Sequence, residues 1–494
     1  MTYFPYFSKC RNEKEFYTYI RKQRLIYNCM YYLNSMTDEP SFEKGLEPIA
    51  AMNNAKYTSF HKKLVIIAAL GAFTDLYVIQ ALGASTFSVI PHFLGSTSNF
   101  AFTASLLFIG AVVGVFSMGT VVDLIGRRLT FIITLALTAL FSFLSAFAQT
   151  PLELNILRFL IGFVTGADYP AAMTIVSEFM PTKYRGRGIS YLWVGFTLGG
   201  VSAYLLGYIL YITIGPTPIE WRIMLGSAAI PAVIGMILRT SLPESPRWAI
   251  EKGKFELASK GIKKASGELF SSQALENSRK ALFLDEKVVI RKHYLKYFVL
   301  ILPIFIAVMC FNLIPGALST LNPSILSSLG VSHSGSLLYS ASFLGVQVIA
   351  TIMIARTIES VGRLKWAMVG GSLETIFAFI VLIAYHDAYA LFGVFMGLSF
   401  FAFVAVPVMR NAGSELFPTE FRGFSSGVVM TGDRIASVIG LLLTPLLFSG
   451  KDVVRLFSVY GAIGLAGTLI AFLALYRKKI DKRSLEDIQL EILK

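Results

Sequence analysis

Residues 158–188, RFLIGFVTGADYPAAMTIVSEFMPTKYRGRG, decide the fold class. The run begins apolar and glycine-stepped with Arg158 and Asp168 inside it, and it turns polar and basic from Ser177 onward. A lipid bilayer accepts internal charges only where they face other protein or a water-filled cavity, and a soluble core rarely accepts them at all. The stretch therefore reads as one transmembrane helix of a transport path. Its tail, Ser177-Glu178-x-x-Pro181-Thr182-x-x-Arg185-Gly186, recurs 237 residues later as Ser414-Glu415-x-x-Pro418-Thr419-x-x-Arg422-Gly423, with six of ten positions identical. A second pair is displaced by 236: Gly119-x-x-x-Asp123-x-x-Gly126-Arg127-Arg128 and Ala355-x-x-x-Glu359-x-x-Gly362-Arg363-Leu364. Two motifs at nearly one offset point to two related halves, as in a transporter built from repeated bundles with its site between them.

Composition agrees. With 55% hydrophobic, 13% aromatic and 15% charged residues, a chain of 494 residues is too apolar for an ordinary soluble enzyme. The net charge of +14 would suit nucleic acid only as a basic face on a folded surface. Here Lys and Arg lie between hydrophobic runs, so no nucleic-acid partner is expected. Cys10, Cys29 and Cys310 cannot form a disulfide framework or a multi-thiol metal site, and no HExxH pair or Walker-type loop occurs. No cofactor, metal or ATP-driven step is expected. No nucleophile–base–orienter set is visible, so the chain does not read as an enzyme.

Twelve segments approach the roughly 20 residues needed to cross a bilayer. They are about 64–90, 99–122, 129–148, 152–179, 188–211, 221–239, 297–320, 335–356, 366–385, 388–414, 424–448 and 453–476. They are too long and continuous for barrel strands, so the expected fold is all-α. The organisation is an amino-terminal segment 1–63, a six-helix bundle 64–239, a central loop 240–296, a second bundle 297–476 and a tail 477–494. Turns after segments two, four, eight and ten carry Arg127, Arg128, Lys183, Arg185, Arg187, Arg356, Arg363, Lys365 and Arg422, and the central loop carries twelve more basic residues. Only Arg222 and Lys451 lie at the opposite turns. The asymmetry places both termini and the central loop in the cytoplasm of a multi-pass cell-membrane protein. The loop pattern PESPRWAIEKGKFELASKGIKKA predicts short amphipathic helices along the membrane surface. Met36 begins what looks like a complete amino-terminal lead, so residues 1–35 read either as an upstream extension or as part of a cytoplasmic tail.

GTVVDLIGRRLTF, RFLIGFVTGADYP, SEFMPTKYRGRG and PESPRW together resemble the signature set of the major facilitator superfamily, over about residues 50–476. PESPRW and the repeated SExxPTxxRG are shared with sugar porters. More narrowly, NNAKYTSFH, FTDLYVI and GADYPAAMTIVSEF are similar to the phosphate:proton symporter family. The sugar-porter glutamine motifs of helices five and seven are missing. The resemblance implies two six-helix bundles working by alternating access.

Several charged and polar residues then become site candidates. Asp75 sits about eleven residues into segment one, roughly 16 Å deep at 1.5 Å per residue. A carboxyl there holds a proton unless an Arg or an entering cation stabilises its charge, which makes it a proton-coupling candidate. Arg158 is its expected partner, as in proton-coupled relatives where a helix-one Asp meets a helix-four Arg; a structural ion pair is the plain alternative. The resemblance implies that Asp168 and Tyr169 face the central cavity, Asp168 to exchange a proton and Tyr169 to bind solute. Asp433 and Arg434, substrate candidates near the middle of segment eleven, are adjacent residues that point apart, which leaves Arg434 available for an anion or for Asp75 or Asp168, and its planar guanidinium suits an oxyanion. Segment seven is expected to break near Asn312, Pro315, Gly316, Asn322 and Pro323. Asn312 and Gln347 are substrate candidates, whereas Glu374 and Arg410 read as structural. Gly119, Asp123, Gly126, Arg127, Arg128, Glu178, Arg185, Glu244, Arg247, Glu359, Arg363, Glu415 and Arg422 are assigned to gating, with Glu on one bundle meeting Arg on the other. The leading expectation is proton-driven uptake of a small oxyanion, phosphate or an organic acid, by a monomer whose partners are solute, protons and lipid. A sugar or polyol porter stands second, and a non-transporting solute sensor represents a different class.

Overall fold

The computed structural model describes residues 41–283, 294–384, 386–415, 419–448 and 452–476, and all regular elements within them are helical. After α1 (Ser41–Asn53), the first half comprises α2 (Ser59–Ala84), the short α3 (Thr86–Val89) with a π-turn at Ile90–Leu94, α4 (Thr97–Ile125), α5 (Arg127–Ser145), α6 (Pro151–Phe179), α7 (Arg185–Ile214), α8 (Pro218–Ser227) and α9 (Ala229–Arg239). Between the halves lie α10 (Pro246–Glu251), α11 (Phe255–Ser266) and α12 (Ser272–Phe283). The second half comprises α13 (Tyr294–Ser328), α14 (His333–Val361), α15 (Arg363–Ala384), α16 (Ala388–Glu415), α17 (Thr419–Leu447) and α18 (Val453–Tyr476). With α8 and α9 counted as one span, twelve stretches of the described chain are long and apolar enough to cross a membrane. Large apolar side chains remain on the outer surface, Ile383 at 82% exposure and Leu152 and Phe116 among them. Such a surface is stable against lipid and unstable against water.

Local sequence sets the boundaries. α6 starts where Thr150 Oγ1 accepts the Glu153 N–H at 3.3 Å, with Pro151 in the first turn and Glu153 Oε2 accepting the Gln149 N–H at 2.8 Å. It stops at Met180, ahead of Pro181. At the repeated turns Gly126 and Gly362 adopt φ of 106° and 95°, a conformation that side chains disfavour. Glycines also fix the depth of α6. A Cβ at Gly110 or Gly114 of α4, or at Gly162 or Gly166 of α6, would collide with the facing backbone. These paired small-xxx-small faces draw α6 against α4 and carry Arg158 and Asp168 into the interior. Across the halves, α7 packs on α14, α4 on α17 and α2 on α13.

One expectation fails here. Segment seven is unbroken: α13 runs from Tyr294 to Ser328 with Pro303, Pro315 and Pro323 inside it. A proline removes one N–H and frees the carbonyl four residues earlier, and a neighbouring helix can re-satisfy it. For Pro323 that carbonyl belongs to Ser319, and Tyr204 Oη of α7 donates to it. The amino-terminal segment also contains structure, because α1 packs on α11 and α12 and buries Ile49 and Met52.

Candidate transport site

Charge in the first half centres on α6. Asp168 is gripped by the Arg239 guanidinium from the end of α9: Nη2 donates to Oδ2 at 2.8 Å, and Nη1 donates to Oδ1. Thr134 Oγ1 of α5 donates to the same Oδ1, and Arg239 Nη1 also donates to the Phe131 carbonyl. The two-pronged geometry is the strongest form of such a pair. It fits because Gly71 of α2 has no side chain; a Cβ there would overlap the guanidinium.

Asp75 lies one helical turn beyond Gly71 on the same face of α2. It is 2% exposed, and neither carboxyl oxygen makes a hydrogen bond among the described residues. The expected Asp75–Arg158 pair does not form. Arg158 is buried and donates from Nη1 to the Val78 carbonyl at 3.0 Å, three residues along α2 from Asp75.

The second half balances its charge differently. Asp433 of α17 accepts from Arg410 Nη2 of α16, while Arg434 Nε stands 3.9 Å from the other Asp433 oxygen. The adjacent residues Asp433 and Arg434 therefore do interact, because the long Arg side chain curls back over its own turn. Asn312 Nδ2 donates at 2.9 Å to both the Asp433 carbonyl and Ser437 Oγ, and Arg410 Nη2 approaches Asn312 Oδ1 at 3.4 Å. Both guanidiniums lie over rings of the first half: Arg410 is 4.7 Å from the Trp193 ring and Arg434 is 5.7 Å from the Phe108 ring.

Neutral polar groups line the seams above and beside these charges. Gln80 Oε1 accepts from Tyr204 Oη at 3.3 Å, and Gln347 Nε2 donates to Ser399 Oγ at 2.9 Å. Gln80 Nε2, Thr320 Oγ1 and Gln347 Oε1 are buried without hydrogen bonds among the described residues. Buried polar atoms left in this state are costly unless something fills the missing bond.

The end of the molecule that carries α10–α12 holds a separate network. Glu244 Oε1 accepts the Arg128 N–H at 3.1 Å, capping α5, and Arg128 Nη2 donates to the Thr240 carbonyl at 2.5 Å. Glu178 accepts from Ser245 Oγ and lies 4.0 Å from Arg127 Nε. Arg185 Nη2 donates to Asn53 Oδ1 at 3.0 Å, joining α7 to the end of α1. These contacts stay within the first half and its adjoining loop; they do not reach from one bundle to the other. Arg247 sits at the start of α10, beside Ser245. At the opposite end, α3, α7 and α14 meet: Phe87 stacks on His333 at 4.1 Å, and Tyr211 Oη is 3.3 Å from His333 Nδ1.

Residues 26–491 match the family described as Sugar (and other) transporter. The chain belongs to that family. Among its relatives, the glucose transporter GlcP of Staphylococcus epidermidis is 28% identical over 81% of this chain and 90% of its own length. The arabinose-proton symporter of Bacillus subtilis is 27% identical over 74% and 77% respectively. Chains described as metabolite transport proteins match over similar lengths. The solved proton:xylose symporter XylE shares the fold, with a TM-score of 0.75 at 20% identity over 88% of this chain and 99% of XylE. The molecule is thus a sugar-porter-type secondary transporter with the major facilitator fold, and not an enzyme. The narrower likeness to phosphate:proton symporters gives way to this broader membership, because the relatives transport sugars and metabolites.

Within a transporter of this family, sequence reasoning missed Arg239. It ends segment six, where a basic residue is easily taken for a topology signal, and the packing of α9 on α5 and α2 turns it inward. Arg410 was read as structural, and its tie to Asp433 and Asn312 was not legible. Gly119, Asp123, Tyr169, Glu359, Arg363, Glu415 and Arg422 fall outside the residues whose side chains are described.

Proposed function

We propose that this chain is a proton-coupled symporter that takes up a small, neutral, polyhydroxylated solute, a sugar or polyol, by alternating access. Asp75 carries the proton. The observation behind this is its isolation: of the three carboxyls at the centre, Asp168 has Arg239 and Asp433 has Arg410, while Asp75 alone lacks a guanidinium partner among the described residues. A buried, unpaired carboxyl is cheapest with its proton on, and it becomes a sink whenever one side of the membrane supplies protons. Residues 64–239 and 297–476 rock as two bodies, with the central loop and both termini on the cytoplasmic side, as the distribution of basic residues supports.

Neutral cargo follows from charge balance. With Asp75 ionised, the named centre holds three carboxylates, on Asp75, Asp168 and Asp433, and three guanidiniums, on Arg239, Arg410 and Arg434. Within this set of six no positive charge is left over to demand an anion; Arg158, buried beside α2, gives an N–H to the Val78 carbonyl. Beside Asp75, neutral groups have unfilled bonding positions: Gln80, Thr320 and Gln347, suited to solute hydroxyls. The arabinose-proton symporter and GlcP among the relatives support the same class.

Purified protein in liposomes with an imposed inward proton gradient, screened against pentoses, hexoses, polyols, phosphate and carboxylates, tests the proposal. The expected result is gradient-driven accumulation of a sugar or polyol that Arg434→Ala weakens but does not abolish. Accumulation of phosphate or a carboxylate, collapsing in Arg434→Ala, would restore the oxyanion reading in its place. Saturable solute binding with no uptake would point to a sensor.

A further inference from the structure

A glutamate three residues after a threonine at a helix start ordinarily folds back onto the threonine N–H. Thr217 and Glu220 have that spacing at the start of α8, yet the Thr217 N–H bonds the Gly215 carbonyl at 2.9 Å and the glutamate turns away. It enters the seam with α3 instead. There Ser88 Oγ donates to Oε2, and Oε1 is buried with no hydrogen bond among the described residues. Glu220 is 2% exposed.

Among the described residues, the surroundings supply no compensating cation. Arg222, two residues on, lies 4.4 Å over the Trp221 ring and donates to the Ala146 carbonyl at 2.8 Å. From the π-turn comes His92, exposed, with Nδ1 2.9 Å from the Ser88 carbonyl. The end of α5, residues 138–148, is TALFSFLSAFA and has no ionisable side chain; α2 offers Tyr77, bonded to Ser227 Oγ at 2.7 Å, and the end of α7 offers Tyr208 and Tyr211. Ser88 adjoins Phe87, whose ring stacks on His333 of the second half. Glu220 thus tethers the residue beside the contact that closes the halves at the end away from α10–α12.

We propose that Glu220 is a second proton-binding carboxyl, distinct from Asp75, and that its protonation locks this far-side closure. Closure seats Phe87 on His333 and so holds Ser88 of α3 against the buried carboxyl; opening releases α3 from His333, which lets Ser88 part from Glu220 and water reach it. Burying the charged form is expensive, so closure takes up a proton, delivered past exposed His92. Protons on the far side then seal the path behind a loaded solute. The purpose assigned to this lock rests on the proton-coupled reading above, but the lock itself can be measured without transport.

Spin labels on Thr213→Cys and Leu338→Cys, in a chain with Cys10, Cys29 and Cys310 replaced by Ser, report the far-side separation by pulsed electron resonance. Measurements run across pH with no gradient and no solute. The closed-to-open ratio should rise as pH falls, by up to about tenfold per pH unit for one linked proton. Glu220→Gln should stay closed with the slope removed, while Ser88→Ala should favour the open state at every pH. A native slope in Glu220→Gln, an unchanged ratio in Ser88→Ala, or loss of the slope in His333→Phe overturns the proposal. Asp75→Asn should keep the slope. Its loss there would assign the titration to Asp75 and remove Glu220, whereas a retained slope beside failed gradient-driven uptake would strike only the coupling reading.

Discussion

Asp75 in α2 and Asn312 in α13 are separated by 237 residues, the same offset as Ser177 and Ser414, so they occupy matching positions in the two repeats. Their surroundings differ. Asp75 has no hydrogen bond among the described residues, while Asn312 is held by the Asp433 carbonyl, Ser437 and Arg410. The first half keeps a titratable group in reserve at the place where the second half has spent its polar atoms on internal bonds. On the proposed coupling, duplication divides the labour: proton binding at Asp75 on one side of the pseudo-axis, a tied ion network around Asn312 on the other. That network still reaches over, because Arg410 and Arg434 lie on Trp193 and Phe108 of the first half.

Exchanging the two residues is the hardest blow to this contrast. In Asp75→Asn combined with Asn312→Asp, the new carboxylate would meet Arg410 and be held as an ion pair, so gradient-driven accumulation should stay lost; restored accumulation would mean that the halves are interchangeable. Next come the ion pairs. Arg239→Ala strands buried Asp168 and should cost about 3–5 kcal/mol, read as thermal stability in detergent. Arg410→Ala should cost less, since Arg434 stands 3.9 Å from Asp433 and can close on it; equal losses would erase the distinction between a single-partner and a shared pair. Gly71→Ala puts a methyl where the Arg239 guanidinium lies and should cost about 1–3 kcal/mol by the same assay. The smallest effect is expected at the seam itself. Tyr204→Phe removes the donor to the carbonyl freed by Pro323 and should cost about 1 kcal/mol.

What could be read from sequence were features with a period or a repeat. Segment lengths gave the twelve spans, and the SExxPTxxRG pair gave the duplication. The buried acids Asp75, Asp168 and Asp433 stood out because lipid makes charge conspicuous. Pairing could not be read, since it depends on which helix faces which and on reach. Arg158 and Asp75 sit at compatible depths, but Arg158 aims at the Val78 carbonyl, and Asp168 found Arg239 through the gap left by Gly71. Proline counted as a breaker for α13, yet Tyr204 from another helix supplied the missing partner. The oxyanion expectation takes Arg434 as a guanidinium open to an anion; the structure puts Asp433 3.9 Å from it and ties Asp433 to Arg410.

The most direct measurement compares two assays on one preparation of Asp75→Asn in liposomes: accumulation driven by an imposed proton gradient, and exchange of labelled for unlabelled solute with no gradient. Loss of accumulation with exchange retained is the predicted result, since the path remains and only the proton carrier is gone. Accumulation at the unmodified level would contradict the assignment of the transported proton to Asp75.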